Sequence, residues 1–170
     1  MAGANRFAGA IVLSGLVWWS ILSPITGVSA RSESRTPNRS NAVKGLSQVE
    51  FLNGTWEGTY VCGQGLTSLK LVIVAKSATE IDAVFLFSPH SQNPNIPSGS
   101  FRMKGNLEVF NSRDIPDFLD LKATTWINRP SGYVTVDLRG DVSSSKRTIA
   151  GNVISSAPNC STFNVEKREQ

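Results

Sequence analysis

The chain has 170 residues, with 17 Lys and Arg against 13 Asp and Glu, two cysteines and one histidine. A single histidine and two cysteines 98 positions apart exclude a clustered metal-ligand set. The formal charge of +4 does not describe a nucleic-acid face: Arg6, Arg31, Arg35, Arg39 and Lys44 precede Val49, after which twelve basic residues meet twelve acidic ones, with no basic run to displace counterions from phosphate.

Residues 1–30 follow the tripartite plan of a secretory signal peptide. Arg6 supplies the positive start, Phe7 to Leu22 form an apolar run, Pro24 breaks it, and Val28-Ser29-Ala30 offers a small-residue cleavage site. An uncleaved anchor is the competing reading, because the run approaches the roughly 20 residues that span a bilayer. Pro24, Gly27 and the Val-Ser-Ala site favour cleavage, and no cysteine stands nearby to be lipidated. Residues 31–48 are rich in Ser, Arg, Asn and Pro and read as a disordered basic tail, able at most to touch an anionic envelope surface weakly.

Residues 49–168 read as one all-β domain. Trp56, Gly58, Tyr60 and Cys62 alternate with Thr55, Glu57, Thr59 and Val61, the period expected of a strand with one buried face. Leu69, Leu71, Ile73 and Ala75 repeat the pattern, as do Ile81, Ala83, Phe85 and Phe87, and then Phe101, Met103, Gly105, Leu107 and Val109. Shorter segments follow at 119–122, 132–139, 148–154 and 162–167. Asp114 to Leu121 could instead form a turn of helix, with Ile115, Phe118 and Leu119 on one face. About eight antiparallel strands predict a small barrel, with a β-sandwich as the alternative. An even pair of cysteines in an exported chain predicts one disulfide, Cys62–Cys160. That bridge ties the first strand to the segment before the last, and those strands are neighbours in a closed meander.

Two loops carry the chemistry-bearing side chains. Ser88 to Ser100 holds Pro89, His90, Pro94 and Pro97, and Trp126 to Tyr133 groups an indole, the Arg129 guanidinium and a phenol around Pro130 and Gly132. Flat aromatics beside hydrogen-bonding groups offer rigid contact area, so Trp126, Arg129, Tyr133 and His90 form the predicted ligand site. The competing reading makes Trp126 and Tyr133 closure residues and pairs Arg129 with an acid such as Asp137. His90 has no accompanying nucleophile signature, and Asp114, Asp117 and Asp120 lack the spacing of a calcium loop, so no catalytic residue, metal or cofactor is expected.

The opening Gly54-Thr55-Trp56-Glu57-Gly58-Thr59-Tyr60 resembles the start of lipocalin and avidin-type barrels. That likeness implies a Trp56 that closes one barrel end, with an arginine of the last strand, here Arg168, packed across it. A longer pattern resembles a bacterial module of unknown function. It comprises Gly54-x-Trp56-x-Gly58-x-Tyr60-x-Cys62-x-Gln64-Gly65-x-Thr67, Pro97 to Phe101, Trp126-Ile127-Asn128-Arg129-Pro130-x-Gly132-Tyr133 and Cys160-x-x-Phe163. The module occurs in secreted proteins and attached to caspase-like peptidase proteins. The resemblance implies a domain boundary and an extracytoplasmic setting and transfers no catalytic residue.

The expected function is therefore a non-catalytic, secreted or periplasmic binding domain. Its partner would be a glycan, a small amphiphile or a protein, with inhibition of a secreted hydrolase as one form. A structural or accessory envelope protein is the alternative, and a hydrolase using dispersed acids or His90 is the remote one. Nucleic acid is not an expected partner, and the membrane enters only through export or weak contact of the tail.

Overall fold

The computed structural model describes residues 47–112, 114–156 and 158–169. The signal-peptide reading and nearly all of the tail fall outside the described residues. Residues 47–49 are helical and lead into a 3-10 turn, Glu50–Leu52.

Eight strands follow in chain order: β1 (Gly54–Cys62), β2 (Gly65–Ser77), β3 (Glu80–Ser88), β4 (Gly99–Glu108), β5 (Asp117–Asn128), β6 (Asp137–Val142), β7 (Thr148–Ile154) and β8 (Thr162–Lys167). Each pairs antiparallel with its sequence neighbour, and β8 returns to β1, so the sheet closes into an eight-stranded meander barrel and the sandwich alternative falls away. The alternation explains the arrangement: Leu69, Leu71 and Ile73 of β2 are buried, as are Ile81, Phe85 and Phe87 of β3, while Lys70 and Lys76 face outward.

Closure depends on a close approach between β1 and β8. Gly58 lies opposite Val165, and a Cβ there would collide with the Asn164 carbonyl. Only glycine lets the two backbones meet at that height. The disulfide Cys62–Cys160 clamps the same seam nearer the other end, with Cα atoms 3.7 Å apart and Ser161 N–H donating to Val61 O at 3.0 Å.

The two barrel ends differ. At one end Trp56 is fully buried, and its Nε1 donates to Leu52 O at 2.8 Å, so the 3-10 turn and buried Val49 and Leu52 form a plug. The cation over this indole is Lys167 rather than the expected Arg168. Lys167 is the cross-strand partner of Trp56 and therefore shares its inward face; its Nζ lies 5.7 Å from the ring centroid and donates to Phe51 O. Arg168 has the opposite parity and pairs outside with Glu57 at 2.8 Å. Lys146 completes the plug, bonded to Asp117 and positioned 4.8 Å over the Phe51 ring.

Two other expectations are corrected. Asp114 to Leu121 forms no helical turn, because β5 begins at Asp117 with Asp117, Leu119 and Leu121 facing inward. β5 also runs on to Asn128, so Trp126 belongs to a strand and not to a loop, and β6 starts at Asp137 rather than Gly132. The register against β4 shifts between Phe101 and Met103, which pair with Trp126 and Ala123. One extra residue on β5 inverts its facing. Odd-numbered residues point inward below the bulge, and even-numbered Trp126 points inward above it.

The contrast between the two basic residues of the plug is testable by thermal or urea unfolding. Lys167→Ala is expected to cost roughly 1–3 kcal/mol, through a lost hydrogen bond and a desolvated cation–π contact. Arg168→Ala removes a solvent-screened pair and should cost less than about 1 kcal/mol. Equal losses, or a larger loss at Arg168, would contradict the assignment.

Candidate functional site

With one end plugged, the cavity among the described residues opens at the mouth, where β1 ends and β2 begins. Alternation along β1 directs Tyr60 and Cys62 inward at this level, opposite Thr67 and Gly65 of β2. The stacked pair Phe85 and Phe101, with centroids 4.6 Å apart, forms a floor, and Tyr60 meets Phe85 edge-on at 5.2 Å. Above the floor a cavity of about 260 Å³ opens, walled by Phe87, Tyr133, Val136 and the disulfide.

The polar groups of the cavity are few. Gln64, in the short turn between β1 and β2, donates from Nε2 to the Tyr60 hydroxyl at 2.8 Å and to Thr67 Oγ1 at 3.3 Å. Thr67 in turn donates to Gly65 O at 3.1 Å. Burial pushes the Tyr60 phenol well above its usual value and the neighbouring Tyr133 phenol adds to the rise, while bonds with Thr67 and Gln64 act against it. Tyr60 is thus a neutral hydroxyl in this site.

The structure brings three of the four predicted residues together. Tyr133 lines the cavity, with its ring parallel to that of Phe87 at 5.3 Å. Trp126 stands behind this wall, half-buried, edge-on to Phe101 at 5.1 Å and to Phe87 at 6.5 Å. Arg129 is exposed; its guanidinium carbon sits 5.9 Å from the Trp126 centroid, and its Nε donates to Tyr133 O at 3.1 Å. It therefore holds the turn that presents Tyr133, a turn closed by Tyr133 N–H to Pro130 O at 3.3 Å with positive φ at Gly132. Asp137, the alternative partner for Arg129, instead bridges Lys122 at 3.3 Å and accepts Ala123 N–H at 2.8 Å.

His90 is not among the cavity-lining side chains. Its Nδ1 accepts Gln92 N–H at 3.2 Å within the β3–β4 connection. That connection matters for a different reason: Asn93 donates to Gln64 O at 2.6 Å, and Ser68 Oγ donates to Pro89 O at 3.1 Å, so the proline-rich loop anchors the Gln64 corner. Asp117 and Asp120 diverge as well. Asp117 is held by Lys146 and accepts Phe110 N–H, whereas Asp120 pairs outside with Arg139 at 3.2 Å. Among the described residues no three His, Cys, Asp or Glu side chains converge as a metal site.

Tyr60, Gln64, Thr67 and Phe87 belong to the site although the residue reading did not select them. The signal was present in part, since Tyr60-x-Cys62-x-Gln64-Gly65-x-Thr67 is a conspicuous run and Tyr60 has inward parity. No family model, curated protein or solved structure matches the chain. The chemistry of the mouth therefore rests on its own residues.

With only two tyrosines in the chain, Tyr133→Phe leaves Tyr60 as the sole phenol to titrate. Its folded value is raised, so Tyr60 favours folding fully below the unfolded value of about 10 and loses that contribution as pH climbs beyond it. Stability should fall by up to about 1.4 kcal/mol per pH unit in that range. Phenolate absorbance should emerge only with alkaline unfolding. A reversible phenolate step near the free value in the folded protein would contradict the buried placement.

Proposed function

We propose that this chain is a non-catalytic extracytoplasmic barrel that holds a small molecule in its mouth. The observation that carries the reading is the cavity of about 260 Å³, with aromatic walls and the carboxamide and hydroxyl of Gln64 and Tyr60 among its lining. Concave apolar sites with a few placed polar groups are the usual form of small-ligand sites. Of the ligand classes considered, the small amphiphile fits these walls better than an extended glycan. The extracytoplasmic setting draws on the signal-peptide pattern over 1–30 and on a disulfide, which persists in oxidising compartments. The Trp56 plug, with a cation from β8, supports kinship with lipocalin-like barrels. Val72 and Val74, outward and exposed on β2, support the second reading, a protein partner on the outer face.

Native mass spectrometry of the whole protein, mixed with a small-molecule extract of the cell envelope, tests the reading. A single low-mass adduct is expected, weakened at least about tenfold in Tyr133→Ala, a change of roughly 1.4 kcal/mol. A melting curve is recorded alongside, because Tyr133 packs half-buried against Phe87 and its truncation lowers stability as well. An adduct indifferent to Tyr133→Ala, or a protein adduct alone, would refute binding in the mouth.

A further inference from the structure

We infer that the mouth takes an uncharged planar molecule of one or two fused rings carrying an N–H or O–H group at one edge. The inference rests on the mouth being a ligand site and specifies the chemistry it selects.

Size sets the first limit. A dry cavity of about 150 Å³ holds one benzene ring. The 260 Å³ here leaves room for a second fused ring but not for a long chain or an oligomer. The floor of stacked Phe85 and Phe101 blocks any deeper path into the barrel.

Charge sets the second. Among the described residues no acidic, basic or imidazole side chain lines the cavity, and Tyr60 is held neutral by burial. Arg129, beside the Tyr133 turn, is engaged by Tyr133 O and the Trp126 face. An ion entering this space would shed water without gaining a counter-charge.

Shape and hydrogen bonding set the third. Phe87 and Tyr133 lie within 13° of parallel, giving the wall a flat aromatic element. Rings favour offset or edge-on contact with such walls. Gln64 spends its Nε2 on Tyr60 and Thr67, and no donor among the described residues reaches its Oε1. That oxygen is the acceptor for one ligand N–H or O–H. A sugar ring brings hydroxyls on every edge and would leave most of them unpaired against Phe85, Phe87 and Val136.

The test is an NMR titration of the amide resonances of the whole protein with indole, 1-methylindole, benzoate and glucose. Indole should saturably shift the Gln64, Gly132 and Tyr133 amides. 1-Methylindole, in which a methyl group replaces the N–H donor, should bind roughly five- to tenfold more weakly, and Gln64→Leu should abolish that difference. Equal wild-type affinity for the two indoles would overturn the Gln64 contact, and benzoate binding as tightly as indole would overturn the requirement for neutrality. Glucose shifting these amides while indole does not would leave the mouth as a binding site but overturn the ligand class. If none of the four shifts them, both the site and its proposed selectivity fail. The wild-type comparison decides the matter even if Gln64→Leu does not fold.

Discussion

The return of β8 to β1 is the constraint on which the rest of the structure depends. A meander of eight strands becomes a barrel only if its first strand can accept two partners, and Gly58 is where the backbones come too close for any side chain. Closure removes the free edges that an open sheet would expose. It also places Lys167 beside Trp56 on the inner face and brings Cys160 to Cys62. The plug and the disulfide are thus both consequences of one strand pairing.

From the plug upward the interior fills in layers, and this filling decides where a ligand can sit. Trp56 and Leu52 occupy one end, Leu71, Met103, Leu121 and Ile149 lie among the fully buried side chains, and the Phe85–Phe101 stack lies beneath the mouth. A long chain-like ligand has no passage through that core. The outer surface is organised by cross-strand charge pairs, such as Glu57 with Lys70 and Asp120 with Arg139. Hydrogen bonds from Lys70 and then Arg168 hold the Glu57 carboxyl below its ordinary range. Lys70 and Arg139 are exposed while their carboxylate partners are half-buried, so solvent screens these pairs and they contribute little to stability.

Period-two alternation made β1 to β4 legible because those strands keep a constant inward parity along their core-facing residues, with β2 shifting register only at its end, past Ala75. The same rule failed on β5, where the bulge inverts parity and hides the inward direction of Trp126. It also misplaced the start of β6, since Tyr133 to Val136 alternate in character yet pair with no strand. The exchange of Arg168 for Lys167 came from a family likeness that fixes a residue type without fixing its parity. Tyr133 was legible as a site residue from its local turn. Tyr60 and Gln64 were not, because their role depends on which barrel end is plugged, and that follows from contacts between residues 50–56 and the far end of the chain.

Native-state hydrogen exchange on the β1–β8 ladder is the most direct measurement of this account. Amides of Glu57, Thr59, Asn164 and Glu166, the hydrogen-bonded pairs of this ladder, should exchange only through global unfolding, with opening free energies equal to that of the whole domain. Local opening of β8 at a markedly lower free energy, while β2 to β5 stay protected, would show that the seam is an accessory and that the barrel does not depend on it.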